Sequence, residues 1–179
     1  MNFAAIGEID TLLLASGTID RLVDFEPRPG RPSEKWILLR APRERQYAYV
    51  DDAPAEPTEA MGKWPEMQRA LEEIRFIVQT KALQGREPEF GNMALTMLPA
   101  GEIIPWQLDR SAYAQTHTKI VVPIATNALV YTFRGTEGMH LPVGGVWILN
   151  DREHQSEVNF GPLRRIQIEL DVAGPREAA

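Results

Sequence analysis

Apolar positions recur with helical spacing in two segments of the first half of the chain. In residues 64–83 they fall on one face of a helix, and Pro65 occupies a first-turn position where proline is tolerated. These apolar positions are Met67, Leu71, Ile74 and Val78. Residues 10–25 carry a looser pattern with the same spacing. We predict a helix in each segment, and we expect the helix over residues 64–83 to pack against a sheet.

Short apolar runs in the same half of the chain indicate strands at residues 4–8, 36–39 and 46–50. Residues 26–32 and 51–58 are rich in proline, which interrupts regular structure, so we predict loops there.

From residue 93 onward the pattern changes to short β-rich runs separated by turns. The runs are residues 93–98, 103–105, 118–124, 128–133, 145–149, 156–159 and 165–172. Many short strands at spacings near ten residues are typical of a sandwich or barrel. In the last run Ile166, Ile168 and Leu170 alternate with Arg165, Gln167 and Glu169. The two sets therefore lie on opposite faces, and the polar face meets either solvent or the interior of a barrel.

Composition adds limits to this picture. The 179 residues, with 44% hydrophobic and 25% charged side chains, suit one soluble domain over residues 1–179. We divide it into a supporting region, residues 1–90, and a β core, residues 91–174. The absence of cysteine excludes disulfides, zinc–thiolate sites and thiol nucleophiles.

The formal net charge of -6 argues against a nucleic-acid partner, which would require clustered Lys and Arg. No apolar run approaches the length of a membrane span, and the first residues do not resemble a signal peptide. We therefore predict a cytoplasmic protein without a membrane partner.

The chain contains three histidines, His117, His140 and His154. Any imidazole-based metal or proton-transfer site must draw on these three. Asp109 and Asp151 are the notable carboxylates near them.

Three segments, in order, resemble a known family. Residues 98–105 read Leu-Pro-Ala-Gly-Glu-Ile-Ile-Pro, residues 140–150 end in Gly-Gly-Val-Trp-Ile-Leu-Asn, and residues 165–172 read Arg-Ile-Gln-Ile-Glu-Leu-Asp-Val. Residues 93–172 thus resemble the double-stranded β-helix of the aspartyl/asparaginyl β-hydroxylase and free-proline hydroxylase group of iron- and 2-oxoglutarate-dependent oxygenases. The resemblance implies a mainly β (α+β) fold, a jelly roll of the cupin-like type with N-terminal helices buttressing it.

The same resemblance implies a hydroxylase with Fe(II) and 2-oxoglutarate as cofactors, acting on an amino acid or a peptidyl side chain. By position in the family motif, Asp109 and His154 would ligate the metal, with Gln107 or a water completing the set. Arg165, together with Lys119, would anchor 2-oxoglutarate, because a planar guanidinium suits a carboxylate.

The chain departs from the family at the metal ligands. The family's His-x-Asp reads Gln107-Leu108-Asp109 here, and the spacing expected before Arg165 leads to Gln155 rather than His154. A one-residue offset in a strand turns a side chain to the opposite face, so His154 requires a bulge or turn to reach the site.

These departures leave two alternatives open. The first is a catalytically inactive relative that binds a small anion through Arg165 and Lys119, or binds a protein partner. The second is a cupin whose metal is held by His117, Asp109 and His154.

Overall fold

The structure is a computed structural model that describes residues 1–12, 14–15, 34–40, 56–57, 59–62 and 64–173. The strand predicted at residues 46–50, the loop predicted at residues 26–32 and most of the helix predicted at residues 10–25 lie outside the described residues.

The elements with described bounds are strands β1 to β11 and helices α1 to α3, and residues 12 and 14–15 are also helical. The strands are β1 (Phe3–Glu8), β2 (Glu34–Arg40), β3 (Glu56–Pro57), β4 (Glu89–Leu98), β5 (Ile103–Gln107), β6 (His117–Ala125), β7 (Val130–Arg134), β8 (Glu137–Met139), β9 (Gly145–Leu149), β10 (Gln155–Asn159) and β11 (Arg165–Ala173). The helices are α1 (Glu59–Gly62), α2 (Pro65–Ile77), which continues into the π-helical turn Val78–Ala82, and α3 (Ala112–Thr116).

The strands form two antiparallel sheets. The large sheet has seven strands in the order β1-β9-β6-β11-β4-β2-β3, and the small sheet has four in the order β5-β10-β7-β8. From β4 onward the chain alternates between the sheets, with β4, β6, β9 and β11 in the large one and β5, β7, β8 and β10 in the small one. This alternation is the winding of a double-stranded β-helix, and the predicted fold class is confirmed.

Helix α2 covers the outer face of the large sheet. Its buried side chains are Met67, Ala70, Leu71 and Ile74, and they share one core with the apolar faces of β4, β6 and β11. The helix predicted over residues 64–83 is therefore confirmed, as is its packing on a sheet. Along the described ranges, no helix combines the length and hydrophobicity needed to cross a membrane.

Four short elements were not predicted, namely strands β3 and β8 and helices α1 and α3. Glu56–Pro57 form strand β3 inside the predicted loop, where they pair with Arg40 and Leu39 of β2. Helix α3 was not predicted, because its residues have no amphipathic pattern. It begins at Ser111, whose hydroxyl accepts a hydrogen bond from the backbone N–H of Ala114 at 3.1 Å.

The buried face of α2 leads to a stability prediction. Ile74 is fully buried, so Ile74→Ala should lower the free energy of unfolding by about 2–5 kcal/mol, through lost burial and the cavity left behind. Phe76 on the same helix is 67% exposed, and Phe76→Ala should change it by less than about 0.5 kcal/mol. Urea unfolding of both variants measures the difference; equal losses would contradict the packing of α2 on the sheet.

Candidate functional site

The polar face of β11 looks into the space between the two sheets. Ile166, Ile168 and Leu170 belong to the core shared with α2, so the alternate residues of the strand point toward the small sheet. Arg165 and Gln167 on that inner face are almost completely buried. The polar face of this strand therefore meets the interior rather than solvent.

A buried ion pair joins the two sheets across this interior. Arg165 Nη2 of β11 donates to Glu157 Oε2 of β10 at 2.5 Å, and only 2% and 9% of the two side chains are exposed. Glu157 reaches inward because it alternates with Ser156 and Val158 along β10. Charge-assisted hydrogen bonds of this type are stronger than those between neutral groups.

The pair leaves part of the arginine unsatisfied. Within the described part of the chain, the buried Nε and Nη1 atoms of Arg165 have no hydrogen-bond partner, nor has Oε1 of Gln167 two residues along the same face. Gln167 uses its amide nitrogen to donate to Glu169 at 3.1 Å. Buried polar atoms of this kind are ordinarily satisfied by water or by a ligand.

Lys119 of β6 is held by two carboxylates of β11. Its Nζ lies 3.7 Å from Glu169 Oε2 and 3.7 Å from Asp171 Oδ1. Burial alone would lower the pKa of Lys119, but the charges of Glu169, Asp171 and Asp151 outweigh it and raise this pKa above its usual value. The ammonium is therefore firmly charged and already compensated.

Arg134, at the end of β7, is the third interior cation. Its Nη1 donates to the backbone oxygen of Phe133 at 2.8 Å, and Nη2 lies 3.8 Å from Asp151 Oδ1. Burial lowers the pKa of Arg134 below its usual value, while Asp151 and Glu157 act in the opposite direction.

These charges border a pocket of about 80 Å³ between the sheets. Its lining residues are Thr96, Ile104, Gln107, Lys119, Val121, Arg134, Gln155, Ser156, Glu157 and Glu169. The lining carries both cations and carboxylates, and each of its four charged side chains has a partner of opposite charge.

Two glutamines are cross-strand neighbours on the pocket wall. Gln107 of β5 is the cross-strand partner of Gln155 of β10, and both line the pocket. The pairing then shifts, since Glu157 is opposite Ile104, so β5 carries one more residue than β10 in this interval. This bulge lets Ile104 and Gln107 share the pocket face, while Trp106 stays exposed and lies over Phe133 with ring centroids 5.8 Å apart.

The predicted ligands Asp109 and His154 do not line this pocket. Asp109 is exposed, and its Oδ1 accepts the backbone N–H of Ser111 at 2.9 Å, as a turn residue ahead of α3. His154 is exposed in the turn before β10, and its backbone oxygen accepts from Gly135 N at 2.8 Å. The structure thus brings Gln107 together with Gln155, and not with Asp109 and His154.

The other two histidines lie elsewhere. His117 opens β6 and stacks on Tyr113 with ring centroids 3.9 Å apart, while its Nδ1 is 3.0 Å from the backbone oxygen of Tyr113. His140 Nδ1 is 3.1 Å from the backbone oxygen of Val130. Neither imidazole lines the pocket.

The pocket residues do not fit iron. In the described ranges, no group of three or more His, Asp or Glu side chains is placed to hold one metal ion. The amides and carboxylates that line the pocket are unsuited to iron, because amides are poor replacements for imidazole and the carboxylates are paired with Arg165 and Lys119. The guanidinium of Arg165, which was expected to anchor 2-oxoglutarate, is paired with the carboxylate of Glu157 instead.

Sequence reasoning missed Glu157 and Arg134. A signal for Glu157 was present, because it stands two residues after Gln155 and alternation along β10 puts both on one face. The sequence carries no such signal for Arg134, because this residue ends β7 beside a glycine turn, where a solvated side chain is expected.

Comparison with solved structures establishes the fold. The chain shares 15% identity with a prolyl-4-hydroxylase from Pseudomonas putida, at a TM-score of 0.55 over 97% of this chain and 91% of that one. It shares 10% identity with the viral collagen prolyl hydroxylase of Paramecium bursaria Chlorella virus-1, solved with 2OG, at a TM-score of 0.59 over 98% and 97%. An oxidoreductase of the 2OG-Fe(II) oxygenase family from Burkholderia pseudomallei shares 10% identity, at a TM-score of 0.56 over 88% of this chain and 76% of that one.

No family model matches the chain, and no curated protein matches it in sequence. The fold is thus that of 2-oxoglutarate/iron oxygenases, and the narrower resemblance to the aspartyl/asparaginyl group stays a prediction.

The raised pKa values of Tyr113 and Lys119 predict that the protein loses stability in alkali. The hydroxyl oxygen of Tyr113 accepts the backbone N–H of Asn92 at 2.8 Å, and burial, with the charge of Asp171, raises the pKa of Tyr113. Because their pKa values are raised, Tyr113 and Lys119 keep their protons in the folded state at pH values where the unfolded chain releases them. The stability that they contribute is therefore present below about pH 10 and declines as the pH rises further.

Urea unfolding between pH 9 and 12 tests this expectation. Tyr113→Phe should make the decline shallower, by at most about 1.4 kcal/mol per pH unit, the limit for one proton. Tyr131→Phe, on the exposed face of β7, is the matched control and should leave the slope unchanged. An unchanged slope in Tyr113→Phe would show that its hydroxyl titrates normally.

Proposed function

We propose that this chain is a binding protein on an oxygenase fold, and that its inter-sheet pocket takes a small polar ligand without iron. The observation that carries the proposal is the pair Gln107 and Gln155, which are cross-strand partners on β5 and β10 and both line the pocket. These are the positions at which the family resemblance leads one to expect metal ligands.

The balance of charge supports an uncharged ligand. Each cation on the pocket wall is already compensated by a carboxylate, so the wall offers an anion little net attraction. A primary amide provides two donor hydrogens and an acceptor oxygen. Two neighbouring amides therefore suit a molecule with both donors and acceptors, such as one bearing hydroxyl or amide groups.

The size of the pocket limits the ligand further. At about 80 Å³ it is smaller than the roughly 150 Å³ apolar cavity that admits benzene. It accommodates a molecule of a few non-hydrogen atoms, or the polar end of a larger one that extends past the exposed Gln107.

A second candidate is an iron- and 2-oxoglutarate-dependent hydroxylase acting on an amino acid or a peptidyl side chain. The likeness to prolyl hydroxylase structures over nearly the full length of both chains favours it. It requires Asp109 and His154 to leave their exposed turns and converge with Gln107, and it requires Arg165 to exchange Glu157 for the co-substrate.

Anaerobic Fe(II) titration of metal-stripped protein with 2-oxoglutarate separates the two candidates. We expect no stoichiometric binding and no charge-transfer band in the visible spectrum. The double variant Gln107→His/Gln155→His should gain Fe(II) affinity over the native protein, because cross-strand neighbours about 5 Å apart can place two imidazoles on one metal. A stoichiometric band in the native protein that is lost in His154→Ala would establish the oxygenase instead.

Ligand binding is tested by a thermal-shift screen of small polyols and amides in the presence of a chelator. A compound that stabilises the native protein should lose at least tenfold in affinity in Gln155→Leu, which keeps the volume but removes the amide. Gln115→Leu, on the exposed surface of α3, is the matched control and should bind normally. Equal affinity in all three proteins would place the ligand outside the pocket.

A further inference from the structure

Arg165 has the surroundings of a buried anion site that is already filled. Its guanidinium is 2% exposed, one nitrogen is 2.5 Å from Glu157, and Nε and Nη1 lack partners among the described residues. Glu157 also lines the pocket, whereas Arg165 does not. The carboxylate of Glu157 therefore stands between the guanidinium and any molecule in the pocket.

We infer that Glu157 is the protein's own occupant of the Arg165 anion site and sets the selectivity of the pocket against carboxylates. An incoming carboxylate would have to displace Glu157, leaving a second buried carboxylate without its cation. The two sheets hold the pair together, because Glu157 is fixed by pairing of β10 with β7, and Arg165 by pairing of β11 with β4. The native contact is thus intramolecular and needs no ligand to be ordered.

This inference rests on the proposed function, since it names what the pocket excludes.

The test replaces the internal carboxylate by an external one. Glu157→Ala removes the atoms that acetate contains, so acetate can take the vacated place beside Arg165. We expect sodium acetate to raise the melting temperature of Glu157→Ala in a saturable manner, relative to sodium chloride at equal ionic strength. The native protein should show no such difference, and 2-oxoglutarate should likewise bind the variant at least tenfold more tightly than the native protein.

Two further variants locate the effect. Glu153→Ala makes the same change in net charge at an exposed position and should not respond to acetate. The double variant Glu157→Ala/Arg165→Met should lose the response, because the cation is gone. A response in Glu153→Ala, or one that survives in the double variant, would overturn the inference.

A measurement on the native protein decides the matter even if Glu157→Ala does not fold. The Nε–H resonance of Arg165, assigned by its loss in Arg165→Lys, should be unmoved by 2-oxoglutarate in chelator-containing buffer. A saturable shift of that resonance would overturn the inference. Because this experiment contains no iron, its failure is distinguishable from failure of the proposed function, which iron binding would signal.

Discussion

The buried ion pair between Glu157 and Arg165 is the contact on which the arrangement of the interior depends. It links the small sheet to the large one at a point where both side chains are withdrawn from water. Desolvation makes such a pair an uncertain source of net stability, yet removal of one partner leaves an uncompensated charge and is strongly destabilising. The pair therefore constrains which residues can stand around it, whatever its own net contribution.

The other cations of the interior are likewise paired with carboxylates of the protein itself. Lys119 is matched by Glu169 and Asp171, and Arg134 by Asp151. The apolar face of β11 packs against α2, so the strand borders a hydrophobic core on one side and a polar pocket on the other. This division explains how a chain of ordinary hydrophobicity keeps a charged pocket without exposing its core.

Much of the fold could be predicted from local patterns, because those patterns are set by one element at a time. The apolar stripe of α2 and the alternation of Ile166, Ile168 and Leu170 both correspond to buried faces in the structure. The candidate site was less accessible to such reasoning. Whether Arg165 faced solvent or the interior depended on the other sheet, and the pairing of Gln107 and Gln155 depended on a bulge in β5 between strands far apart in the sequence. Asp109 could equally be read as a ligand or a turn residue, and its contact with Ser111 is that of a turn.

The most direct test is a crystal structure of the native protein grown with excess Mn(II) and 2-oxoglutarate. We predict that Arg165 remains paired with Glu157, and that no metal density lies between Gln107 and Gln155. A metal held by Asp109 and His154, with 2-oxoglutarate on Arg165 and Glu157 displaced, would contradict both the metal-free pocket and the internal occupant of the anion site.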